Sequence, residues 1–145
     1  MKMRVRTATT LSVLALAATG FTATAPSAEA ASGSACGAWA DTGLAGVKGR
    51  ICWSWTSSTF SAKTQAYNSA GVTRYLKGQI TMTVGTRKQW DGSTPQYTVP
   101  VGQVVTLAST TLYESPAPTS CILQGKVIKS ATGATQWTQT RTVGC

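Results

Sequence analysis

The chain has 145 residues, with 13 Lys and Arg against four Asp and Glu, no histidine, and a formal charge of +9. Without histidine the commonest general base and transition-metal ligand is missing, and so few carboxylates leave little material for paired acid–base chemistry. Four cysteines and five tryptophans carry most of the remaining information.

The first thirty residues read as a secretory signal. Lys2, Arg4 and Arg6 precede an apolar run over residues 11–18, and Ala28-Glu29-Ala30 is a small-x-small cleavage site. The run is shorter than the roughly 20 apolar residues that span a bilayer, and no later segment comes close to that length. Lipid anchoring through Cys36 is disfavoured, because Ser32-Gly33-Ser34-Ala35 lacks the leucine such a site needs. The expectation is a signal over residues 1–30 and one secreted domain over residues 31–145, with no membrane anchor. An exported domain meets an oxidising compartment, so its thiols should pair.

After the signal, threonine, valine, tyrosine and tryptophan recur between turn residues at strand-length intervals, with no helical stripe. The pattern predicts a small all-β domain, a single antiparallel β-sandwich of immunoglobulin-like or related plan with seven or eight strands. A short strand begins near Cys36. The next runs from Lys48 to Thr56, with Ile51, Trp53 and Trp55 on one face and Cys52, Ser54 and Thr56 on the other. The bulk of the first set makes it the core face. Were the strand reversed, both indoles would form an exposed stacking platform. Residues 62–68 and 72–85 are expected to pair about Asn68-Ser69-Ala70-Gly71, with Leu76, Ile80, Met82 and Val84 pointing inward.

Residues 86–95 read as a loop, and it is the candidate contact site: Arg87 and Lys88 stand beside Trp90 where no core pattern accounts for the indole. Residues 96–101 are expected to form an edge strand or to end at Pro100, which cannot donate to a ladder. The following strand, 103–113, has an ambiguous inward face, since Val105 and Leu107 oppose Val104, Thr106, Ala108 and Leu112. Two prolines make Glu114–Ser120 a surface crossing, and such a stiff segment is an alternative contact loop, offered to a protease as a rigid inhibitor.

The four cysteines allow three connectivities. Zinc is disfavoured by the absence of histidine and of any Cys-x-x-Cys spacing. Each local pair is centred on a turn: Cys36 and Cys52 flank Thr42-Gly43-Leu44-Ala45-Gly46, and Cys121 and Cys145 flank Gly133. The expectation is two disulfide-clamped hairpins, the second with Leu123 opposite Val143, Gly125 opposite Arg141 and Val127 opposite Gln139. Cys121 belongs with the inward residues Leu123 and Val127, whereas Cys52 lies on the face away from Ile51, so the bridges should occupy different layers.

No catalytic constellation is legible, so a small secreted hydrolase is a disfavoured alternative. Asp41, Asp91 and Glu114 are the carboxylates of the domain, each in an expected turn or loop, and no nucleophile elbow or phosphate-cradling glycine loop occurs. Cofactors and metals are not implied. The reading is a non-catalytic, monomeric extracellular binding module whose partner is a protein or an anionic or carbohydrate polymer. No nucleic-acid motif is present, and the cations never form a run longer than two. In size, composition and export the plan is similar to that of small secreted actinobacterial β proteins, the subtilisin inhibitors and the enediyne-binding apoproteins. The cysteine spacing departs from both, so no functional residue is carried across.

Overall fold

The computed structural model describes residues 32–91, 95–112 and 120–145. The expected signal and the prolines of the 114–120 segment lie outside the described residues. Strand-forming composition and period-two alternation give ten strands among those described: β1 Gly33–Cys36, β2 Ala40–Asp41, β3 Val47–Trp55, β4 Phe60–Asn68, β5 Arg74–Val84, β6 Arg87–Asp91, β7 Tyr97–Val99, β8 Val104–Leu112, β9 Ser120–Lys129 and β10 Thr135–Gly144. The excess over seven or eight comes from β6, expected as loop, and from an interruption that separates β1 from β2.

All pairings are antiparallel and form two five-stranded sheets. The first has the order β1-β3-β4-β8 with β2 also on β3; the second has the order β10-β9-β5-β6 with β7 also on β5. Their inner faces share one core, in which Val47, Ile51, Phe60, Ala66 and Leu107 of the first meet Leu76, Ile80, Met82, Leu123 and Val127 of the second. The expected inward set of β5 is buried, and Trp53 and Trp55 pack half-buried against the core, as their shared face with Ile51 implied.

The expected pairing of residues 62–68 with 72–85 does not occur: β4 and β5 belong to different sheets. Asn68 explains why. Its side chain is fully buried, with Nδ2 donating to Val72 O at 2.9 Å and Val99 O at 2.8 Å, while Oδ1 accepts from Ala70 N at 2.9 Å. An amide that satisfies three backbone groups at the corner holds the chain through the crossing between sheets, so the asparagine is a brace rather than a hairpin residue.

β8 resolves its own ambiguity through a bulge. Thr64 pairs with Ala108 but Gln65 pairs with Thr106, so Leu107 is inserted and both Leu107 and Ala108 are buried. The inward parity therefore changes in mid-strand, which no single alternation could express. Leu107 drops onto β5 at Gly78, where a Cβ would stand 2.4 Å from that of Leu107. Beside it, Thr64 Oγ1 donates across the sheets to Gln79 O at 2.8 Å.

Both disulfides are local, Cys36–Cys52 and Cys121–Cys145. Cys36 pairs directly with Cys52 across the ladder, at a Cα separation of 4.0 Å. The second hairpin corrects the expected register by two residues: Leu123 faces Arg141, Gly125 faces Gln139, Val127 faces Trp137 and Cys121 faces Val143. Cys145 lies beyond the end of β10 and bridges diagonally, Cα to Cα 5.7 Å, so the midpoint of this cysteine pair is not the midpoint of the hairpin. A shift of two preserves the faces. Cys121 is fully buried in the core, whereas Cys52 is on the outer face, buried beneath Cys36; the bridges do occupy different layers.

Candidate functional site

The cation–aromatic segment expected as a loop is a strand. Val84 pairs with Arg87 around Gly85-Thr86, and Gly85 has a φ of 56° while no residue other than glycine has a positive φ among those described. That is the glycine-first two-residue turn that suits antiparallel strands. Lys88 then pairs with Thr83 and Trp90 with Thr81. Arg87 and Lys88 are exposed, at the edge of the second sheet. On the outer face of that sheet Lys88 joins Lys77 and Lys126 among threonines and glutamines: the register sets Gln79, Lys126 and Thr138 in one row and Thr81, Gln124 and Thr140 in the next.

Asp91 closes this edge. Its Oδ2 accepts from Ser109 N of β8 at 3.1 Å, so the carboxylate caps an edge amide of the opposite sheet. The other candidate carboxylate, Glu114, lies outside the described residues.

A second constellation was not anticipated. On the outer face of the first sheet, the register aligns Lys48 with Tyr67 and Val104, then Arg50 with Gln65 and Thr106, then Cys52 with Lys63. Arg50 Cζ stands 4.1 Å from the centroid of the Trp39 ring. Its Nε donates to Gln65 Oε1 at 3.0 Å, and Gln65 Nε2 donates on to Thr106 Oγ1 at 3.3 Å. Trp39 also tilts against Tyr67, with centroids 5.9 Å apart at 50°. All of Trp39, Arg50 and Tyr67 are half-exposed, and Val104 beside them is 45% exposed. The Asp41 carboxylate meets Lys48 at 4.0 Å in an open position.

Sequence reasoning missed this group because its members come from three separate strands and a link. Only the outward parity of Arg50 and Tyr67 was readable. Two polar residues of β10, Gln139 and Arg141, share the inward parity of Trp137, as the alternation of that strand implied, but the place of Arg141 was not read. The Arg141 guanidinium lies against Gly37, where a Cβ would stand 2.4 Å from its Nε.

No protein-family model matches this chain, and no curated protein matches it either. What fold and surface define, over the described residues, is an all-β protein of two antiparallel sheets, each carrying one disulfide, with cation-bearing outer faces.

Proposed function

We propose that this chain is a secreted, non-catalytic binding module for an anionic extracellular polymer. The observation that carries the reading is the distribution of charge. Lys48, Arg50 and Lys63 stand on one outer face and Lys77, Lys88 and Lys126 on the other, while Asp41 and Asp91 are the carboxylates among the described residues and Asp91 is engaged with Ser109 N. A surface of this kind attracts a polyanion over a Debye length, about 8 Å at physiological ionic strength, and rejects other basic partners. Arg87, Lys88 and the Trp90 position on β6 form one contact region in this reading. Two disulfides suit an oxidising compartment, which supports the extracellular assignment.

We read the stacked sheets as an immunoglobulin-like β-sandwich. Support comes from the path of the chain: the hairpin β3–β4 crosses to the hairpin β5–β6, β8 returns beside β4, and β9 then crosses to lie between β5 and β10. This is the Greek-key relation of such folds.

The test is retention of the oxidised protein on immobilised polyuronate and polyphosphate at several salt concentrations. Binding at low ionic strength that weakens steadily with salt is expected. Passage of the protein through both supports at low ionic strength would overturn the proposal.

A further inference from the structure

We infer that Arg50 is a preorganised two-pronged receptor for the carboxylate groups of an acidic polysaccharide. The inference rests on the polyanion reading and assigns it a site.

A guanidinium carries five N–H donors in a rigid plane, and its Nη edge matches the two oxygens of a carboxylate. On an ordinary surface the long side chain is mobile, and ordering it opposes binding. Here the order is already present. The guanidinium lies over the Trp39 ring, with Cζ 4.1 Å from its centroid, and Gln65 restrains it further by accepting from Nε at 3.0 Å. Gln65 is itself held by donating to Thr106 Oγ1 at 3.3 Å. The Nη nitrogens, the donors that fork a carboxylate, have no partner among the described residues. A cation needed only to cover the Trp39 ring would require neither the glutamine tie nor an open Nη edge.

The surroundings select the occupant by charge complementarity. Lys48 and Lys63 lie in the rows on either side of Arg50 and Gln65, so the receptor sits within a short run of positive charge. Successive same-face positions along a strand are about 7 Å apart, which places charges repeatedly along a flat surface rather than inside a pocket. Tyr67 and Val104 add an apolar margin on which the C–H faces of sugar rings can rest. A chain of carboxylated sugars offers both parts, an anion at each unit and an apolar ring face between.

Arg50→Lys keeps the charge and removes both the fork and the guanidinium that covers the Trp39 ring. Binding of oligogalacturonate and of polyphosphate by the oxidised wild type and R50K is measured at one salt concentration. R50K is expected to lose about tenfold in uronate affinity, the size of one charge-assisted hydrogen bond, and much less in polyphosphate affinity, for which a point charge serves. In the wild type, the Nε–H resonance of Arg50 and the indole N–H of Trp39 should shift on titration with oligogalacturonate, a readout that does not depend on the variant folding. Equal uronate affinity in wild type and R50K, an equal loss for both polymers, or an unmoved Arg50 Nε–H at saturation would each overturn the inference while leaving general polyanion binding intact. A wild type that binds neither polymer removes both readings.

Discussion

Single side chains decide several long-range features of this molecule. Asn68 satisfies three backbone groups at the crossing between sheets, from a fully buried position. Asn68→Asp keeps the shape and turns two donors into an acceptor facing two carbonyls, so it should cost about 3 kcal/mol or more, read as a lower urea midpoint with an unchanged slope. Gly78 is the converse case, defined by what it lacks. Gly78→Ala forces a methyl to within 2.4 Å of Leu107 and should cost about 1–3 kcal/mol by overpacking. The Trp137 indole follows the same logic, lying over Gly49 and Gly125, where added methyls would stand 3.0 Å and 3.3 Å from it. That ring is buried at the sheet edge because two glycines make room, a spacing visible in the sequence whose meaning is not.

At the level of elements, the inner faces of β3, β5 and β10 were legible, whereas the face of β8 and the sheet partners of β4 and β5 were not. Ile51, Trp53 and Trp55 share the inner face, and the threonine face of β10 is turned outward, as alternation required. The β9–β10 register differs by two residues from the one that the cysteine midpoint predicts, because Cys145 bridges from beyond its strand. Cross-strand NOEs in the folded protein should therefore join Leu123 with Arg141 and Val127 with Trp137; contacts of Leu123 with Val143 as its direct partner would refute this register. The segment 86–95 reads as loop in the sequence, yet Gly85-Thr86 is an adequate hairpin turn and Arg87–Asp91 forms β6. Its strand state rests on β5, whose edge it completes, and on Asp91, which ties it to β8. Asp91→Ala should cost about 1 kcal/mol through the lost acceptor at Ser109 N, measured by thermal unfolding.

For the whole molecule, the two disulfides stand in unlike environments. Cys36 is exposed on an outer edge above the buried Cys52, whereas Cys121 is fully buried and its partner Cys145 is half-buried against the shared core. Reduction depends on access of a thiolate to a sulfur. Titration with a thiol reductant under native conditions, followed by alkylation and mapping, should label Cys36 and Cys52 before Cys121 and Cys145. Labelling in the reverse order would contradict the layered arrangement. Closing loops with sequence separations of 16 and 24 residues stabilises by about 3 kcal/mol each in the chain-entropy model, so loss of the outer bridge alone should leave the protein folded with reduced stability.

The sequence by itself determined what depends on near neighbours. Period-two alternation assigned most side chains to inner and outer faces, turn residues marked many strand ends, and the cysteine spacing favoured the two local disulfides. Tertiary structure decided which sheet each strand joins, where β8 bulges, and which outward residues meet. Backbone hydrogen bonds are blind to side-chain identity, so a strand's partner is chosen by the long-range fit of cores and corners: Leu107 against Gly78, Asn68 beneath two carbonyls. The Arg50–Trp39 receptor belongs to that second kind, since it exists only where β3, β4 and β8 come into register beneath the Trp39 link.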